Sequence, residues 1–223
     1  AKMGKREAWS RQIFEQVISC LTSNIGYDTI AKKTAVESHM TVSDYLDVME
    51  SNFILKILYQ IDMNRKAPAA RKTKKVYFQD PFLFWVFMGY VNGLSDYFAG
   101  SALRLKDREL KSRLMENTVM CSLMKLENSV TWSNKVFFFR TTNQAEVDFV
   151  VRDRGTQLLP IEVKYRENPG PGDFINVKKV NPVKGVIISK DSLQINGARF
   201  IIPAEVFLLM QDQLLKELSR LKK

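Results

Sequence analysis

The sequence predicts a mixed chain, of α+β or α/β class, folded as two domains. Two patterns carry that reading: residues 7 to 79 read as three helices closed by a β-hairpin, and residues 108 to 189 read as helix, three strands, helix, strand. Of the 223 residues 45% are hydrophobic, enough for a sizeable core in each half. The boundary is expected at Ala99-Gly100-Ser101, giving domains 1–99 and 100–223.

The first helix, 7–22, puts Trp9, Ile13, Val17 and Cys20 or Leu21 on one face and stops between Asn24 and Gly26. A short helix, 29–35, precedes a tight break, and 41–52 follows with Val42, Tyr45, Leu46 and Met49 as its apolar stripe. This is the cadence of a helix-turn-helix. Residues 53–61 then alternate like a strand, and 75–79 read as its return. Three helices and a hairpin make a winged helix.

The hairpin loop is basic, with Arg65, Lys66, Arg71, Lys72, Lys74 and Lys75 and no acid among them. It suits contact with phosphates, and the net charge of +10 suggests a polyanion as partner, whether DNA, RNA or an acidic protein. A solvated hairpin tip is the alternative. Helix 41–52 carries Asp44, Asp47 and Glu50 and neither Lys nor Arg, so base reading by it is not expected, and packing against a domain or subunit is its rival use. His39, the only histidine, fits a surface or capping position.

Asp80-Pro81 caps and opens an aromatic helix, 82–98, whose Phe84, Trp85, Phe87, Tyr90 and Tyr97 are expected to cement the two halves. Beyond helix 108–127, Phe137-Phe138-Phe139 reads as a buried strand ending in Arg140, which either contacts phosphate or pairs with an acid. Runs 145–151 and 157–165 form a hairpin, and Pro160 argues that the second is an edge strand. Asn168-Pro169-Gly170-Pro171-Gly172 breaks the chain before a short helix, 174–180, and a strand, 184–189. Phe200-Ile201-Ile202 adds a strand, and a terminal helix carries a stripe of Phe207, Met210, Leu214, Leu218 and Leu221.

Some classes are excluded. The sequence has no Gly-x-x-x-x-Gly-Lys-Ser/Thr loop, so no P-loop nucleotide site. Cys20 and Cys121 have no partner at metal-ligand spacing and read as reduced thiols. No signal peptide and no run of 18 apolar residues is present, so no membrane partner and a cytoplasmic location are expected.

The chemistry concentrates between Arg140 and Lys164. Alternation puts Asp148 on one face with Glu146 and Val150, and Glu162 with Lys164 on a face of the next strand. Two carboxylates on neighbouring strands repel unless a cation offsets them, and a divalent metal wants such hard oxygen ligands. A lysine beside them can hold a water or stabilise charge on a phosphate. Glu116 falls on the apolar side of helix 108–127, among Val119, Met120 and Leu123, and should point at the sheet. The alternative is an ordinary charged strand face, worth under about 1 kcal/mol per exposed pair.

Asp148 followed by Glu162-Val163-Lys164 resembles the PD-(D/E)XK nuclease superfamily, with Val147 where the motif name puts proline. The resemblance implies a restriction-endonuclease-like αβββαβ domain, on which the winged-helix domain packs. It further implies Asp148, Glu162 and Glu116 as ligands of Mg²⁺ or Mn²⁺, and Lys164 as the assisting amine. The chain as a whole is similar to the C-terminal region of prokaryotic, especially archaeal, AAA-type ATPases. The carrying segments are Lys75-Val76-Tyr77-Phe78-Gln79-Asp80-Pro81, Leu114-Met115-Glu116-Asn117-Thr118-Val119, Phe139-Arg140, Glu146 to Val150 and Ile161 to Lys164. In that group an ATP-binding domain comes first, so together with the start at Ala1 a fragment is expected. ATP would act only through that domain, which is also an expected partner, and assembly into oligomers is open. The expected function is a metal-dependent DNA endonuclease or exonuclease; the alternative is a catalytically inactive DNA-binding or protein-assembly module.

Overall fold

The structure, a computed structural model, describes residues 2–36, 38–127, 136–152 and 157–220. Its fold is mixed α/β with several sheets. Contacts divide the chain into two units: Ala1–Leu58 with Arg71–Asn117, and Tyr59–Ala70 with Thr118–Lys223.

The first unit begins with helix α1 (Lys2–Ser19), strand β1 (Asn24–Ile25), and helices α2 (Tyr27–Lys33) and α3 (His39–Ser51). Ser38 caps α3, its hydroxyl accepting from the Met40 N–H, so His39 begins the helix and faces Asp28 on the surface. Much of the stripes read from the sequence is buried: Ile13 and Val17 on α1, Leu21 just beyond its end, and Val42, Leu46 and Met49 on α3. Strands β2 (Leu55–Tyr59) and β5 (Lys74–Phe78) complete a three-stranded sheet in the order β1-β5-β2. Strand β1 pairs antiparallel with β5, a two-residue piece too short to announce itself in the sequence.

The aromatic helix is shorter than expected. Helix α4 (Pro81–Asn92) is capped by Asp80, which accepts from the Phe82 N–H, and ends at Gly93 in the left-handed region, φ 60°. Gly93 carries no Cβ penalty there, so the chain leaves the helix. A separate helix α5 (Tyr97–Arg104) starts from an Asp96 cap, and the expected boundary at 99–101 lies inside it, within the first unit. Within this unit the α4 rings pack on their neighbours: Phe87 stacks on Phe14 with centroids 3.9 Å apart, and Phe84 meets Phe78 edge-on.

Helix α6 (Arg108–Glu127) starts in the first unit and continues in the second. The second unit also holds a short hairpin of β3 (Ile61–Asp62) and β4 (Ala67–Pro68), so the tip of the expected wing belongs there. Its main sheet runs β10-β11-β9-β8-β7-β6, built from β6 (Val136–Arg140), β7 (Glu146–Arg152), β8 (Leu158–Lys164), β9 (Gly185–Ser189), β10 (Gln194–Asn196) and β11 (Arg199–Pro203). Strands β6, β7 and β8 are antiparallel neighbours, whereas β8 runs parallel to β9 and β9 to β11.

Helix α7 (Phe174–Val180) crosses from β8 to β9 and buries Phe174 and Val177 against Ile187 and Ile201. Its approach is close. A Cβ on Gly185 would lie 2.2 Å from Val177 Cγ1, so β9 opens on a residue without one. Helix α8 (Ala204–Arg220) docks through Phe207 and through Gln211, whose side chain bonds the Ser122 hydroxyl and carbonyl of α6. Met210 of the expected stripe is half exposed, and the side chains of Leu214, Leu218 and Leu221 lie outside the described residues.

Strand β8 is interior, not an edge. Pro160 is tolerated because its pairing with β9 begins only at Ile161, one residue further on, so the missing N–H breaks no bond of that ladder. Among the described residues no helix is long and apolar enough to cross a membrane.

Candidate functional site

A β-bulge shapes the place where Asp148 sits. Phe137 pairs with Val150 and Phe139 with Val147, so one residue of β6, Phe138, stands opposite two of β7, Asp148 and Phe149. The extra residue breaks the period-two alternation. Val147 and Val150, which strict alternation would send to opposite faces, lie in one apolar cluster with Phe137, Phe139, Ile61 and Leu158. Asp148 therefore does not simply share the face of Val150, as alternation alone suggested.

The β7–β8 ladder ends at Phe149 and Ile161. One residue beyond, side chains replace the backbone pairing. Asp148 Oδ2 accepts from the Val163 N–H at 2.9 Å, and Glu162 Oε2 accepts from the Asp148 N–H at 3.3 Å. Both acids are nearly buried, at 9% and 6% exposure, and these bonds offset part of the cost of taking the charges out of water. Glu162 is held from the other side by β9, where it pairs with Ile187.

Lys164 lies two residues along β8, on the face of Glu162, and its Nζ donates to Glu162 Oε1 at 2.6 Å. Burial opposes its charge, but the neighbouring Glu162, with Asp148 and Asp173 farther off, raises its pKa above the ordinary lysine value. Asp148, Glu162 and Lys164 thus form one bonded cluster of two acids and an amine. Hard carboxylate oxygens are the donor type that Mg²⁺ or Mn²⁺ takes, commonly one or two from the protein with water and substrate phosphate filling the shell. Among the described residues no group of three His, Cys, Asp or Glu side chains is placed to hold a metal ion.

Glu116 is engaged within the first unit. Its Oε1 accepts from Lys75 Nζ at 3.1 Å and from the Tyr77 hydroxyl at 2.8 Å, and Lys75 is only 1% exposed. The next residue, Asn117, bonds both the N–H and the carbonyl of Phe78, at 2.9 and 3.0 Å. Two segments singled out in the sequence, Lys75 to Phe78 and Glu116-Asn117, are thus physical partners that fasten α6 to β5.

The basic residues of the expected wing belong to both units. Lys75, buried beside Glu116, presents no surface to a phosphate. Arg65 and Lys66 lie in the second unit; Arg71, Lys72 and Lys74 in the first. Arg65, Arg71 and Lys72 are exposed, whereas Lys74 lies over the Tyr27 ring at 4.7 Å, and burial lowers its pKa despite the nearby Asp47. Arg140 faces Glu146, its register partner, at 3.8 Å, the acid-paired outcome of the two expected for it.

Sequence reasoning missed one pair beside the cluster. Arg166 Nη2 donates to both oxygens of Asp173, at 2.8 and 2.9 Å, across the Asn168 to Gly172 loop. Burial disfavours the Asp173 carboxylate, yet the Gly170 N–H, Arg166 and Lys164 together hold its pKa below the ordinary value. The available signal was an acid placed directly after a Gly-Pro-Gly turn, where its side chain can reach back to a backbone N–H.

Two family models match the chain. Residues 111–207 match a domain of unknown function, DUF4143, found in AAA-ATPase-associated proteins, and residues 4–92 match a second domain of unknown function, DUF8612. Helix α5 falls in the interval between them. No curated protein and no solved structure matches the chain.

Proposed function

We propose that this chain is the C-terminal part of an AAA-type ATPase and acts as a metal-dependent phosphodiesterase on DNA, with Asp148, Glu162 and Lys164 as its working residues. The observation that carries the reading is the pair of nearly buried carboxylates, cross-bonded between β7 and β8, with Lys164 on Glu162. The order α6, β6, β7, β8, α7, β9, with β8 and β9 parallel, supports a restriction-endonuclease-like core. A sheet in which β5 lies between β1 and β2, after three helices, supports a winged helix for the first unit.

In this reading Asp148 and Glu162 hold the cation. When bound, it lowers the pKa of an attacking water and offsets charge on the phosphate. The β7 bulge and the Val163 N–H fix the Asp148 carboxylate in advance, so little reorganisation is needed at the moment of reaction. Lys164, on the same strand face, exchanges Glu162 for the developing phosphate charge. We assign Glu116 to holding Lys75 and Tyr77, outside the working set.

The exposed side of α3, with Met40, Asp44, Asp47 and Val48, favours protein over DNA as its neighbour, and any DNA contact of the first unit falls to Arg71 and Lys72. That surface also supports a second reading, an inactive assembly module. Cleavage of supercoiled plasmid and single-stranded DNA with Mg²⁺ or Mn²⁺ separates the two. The nuclease reading expects cleavage that is lost in both Asp148→Ala and Lys164→Ala; activity unchanged in both variants, or no activity in the parent chain, overturns it.

A further inference from the structure

We infer that Arg166, oriented by Asp173, is a phosphate-binding residue of the same site, gripping the backbone of the nucleic acid beside the bond to be cut. The inference rests on the proposed phosphodiesterase reading for its substrate, but on separate residues for its geometry.

The chain turns sharply after β8, with the Arg166 N–H bonded to the Lys164 carbonyl at 2.6 Å and the Arg166 carbonyl accepting from the Lys190 N–H at 3.3 Å. This turn fixes the Arg166 backbone directly beside Lys164. The side chain is then fixed as well. Asp173, 15% exposed, accepts from the Gly170 N–H at 2.9 Å and, on both its oxygens, from Arg166 Nη2. A guanidinium has five N–H donors, so three, on Nε and Nη1, are left for a ligand. The Arg166 side chain is 59% exposed, so those donors can be reached from solvent.

A structural ion pair needs neither this asymmetry nor this location. The acid is sheltered and tied to the backbone of its own loop, while the base is open and close enough to the cluster that Asp173 and Lys164 act on each other. Such an arrangement removes conformational freedom that a free arginine would lose on binding, and leaves its charge and the Nε and Nη1 donors for charge-assisted bonds to phosphate oxygens. Lysine at this position would keep the charge without the planar guanidinium that Asp173 orients.

The test is binding of fluorescently labelled single-stranded DNA in EDTA, across a salt series, together with steady-state cleavage in Mg²⁺. Arg166→Gln is expected to weaken binding about tenfold, the loss of one charge-assisted contact. The slope of log affinity against log salt should fall by about 0.7, one phosphate's share on a single strand. Arg166→Lys should restore the salt slope but only part of the affinity, and Asp173→Asn should weaken binding without changing the slope. In cleavage the Arg166→Gln loss should appear mainly in KM. A single cooperative thermal melt for each variant, above the assay temperature, shows that the fold is retained. Unchanged affinity and slope in Arg166→Gln, or no DNA binding by the parent chain, overturns the inference. If the parent chain cleaves and Arg166→Gln is indistinguishable from it, the inference fails while the nuclease reading stands. If DNA is bound through Arg166 and never cut, the reverse holds.

Discussion

The Asp148 N–H donates to Glu162 while the Asp148 carboxylate accepts from the N–H of the residue after Glu162, so each acid fills a place the β7–β8 ladder leaves open. The acids therefore have a structural role besides the chemistry proposed for them, and simple loss of activity on their mutation would not separate the two. Metal-linked stability does. Mg²⁺ at a hundred times its dissociation constant should raise the unfolding free energy of the parent chain by about 2.7 kcal/mol. Asp148→Asn and Glu162→Gln, which keep shape and remove charge, should lose most of that gain in a thermal-shift titration. A full Mg²⁺ response in both variants would place the cation elsewhere.

Lys75 and Glu116 make the opposite case, a charged pair whose worth is mechanical. Glu116→Ala leaves an ammonium at 1% exposure without its carboxylate, which should cost about 3–5 kcal/mol in urea unfolding, with or without metal. Replacing both partners by apolar residues, Lys75→Met with Glu116→Leu, should recover much of the loss. A Glu116→Ala variant that keeps its stability in EDTA but loses its Mg²⁺ response would return Glu116 to the metal.

Much of the second unit was legible because its elements announce themselves by pattern. The phenylalanine run of β6, the alternation of β7 and the apolar run of β9 gave strands in the right order, and the spacing from Asp148 to Lys164 put three charged groups in one place. The misses share a cause: they depend on what lies across from a residue, which local pattern does not record. Nothing local to β7 marks the bulge, which exists only in its register with β6. Glu116 lies among apolar helix neighbours whether its partner is a metal or Lys75. Pro160 reads as an edge signal unless it is known that β9 joins one residue later. By contrast the β10–β11 hairpin could have been found, since Gly197-Ala198, with Gly197 at φ 59° in the first central position between Asn196 and Arg199, is a two-residue turn signal.

Asp173 should give the second unit an acid-sensitive contribution. Its folded pKa lies below the value of about 3.9 for an unfolded aspartate. The unfolded chain therefore binds the proton more readily, and the stabilisation is present in full above that value. It is lost as pH falls through the folded pKa. Unfolding free energies of the parent chain and Asp173→Asn, measured from neutral pH downward, should differ most near neutrality and converge in acid. A gap that stays constant through that range would mean the carboxylate is not held in its charged form.

Gly185 tests how closely α7 lies on the sheet. A methyl group there would meet Val177 Cγ1 at 2.2 Å, and valine in a helix has little rotamer freedom with which to withdraw. Either α7 lifts, pulling Phe174 and Val177 from Ile187 and Ile201, or β9 shifts against β8. Gly185→Ala should accordingly lower stability by about 1–3 kcal/mol. Since Glu162 and Lys164 take their register from β9, through Ile187 and Ser189, the same substitution should also weaken the Mg²⁺ response. Adding Val177→Ala makes room for the new methyl and should restore that response even though it costs core packing of its own. That split, site recovered and core still weakened, is what a steric wedge between α7 and β9 produces; a double variant that regains neither would point to the backbone freedom of Gly185 instead.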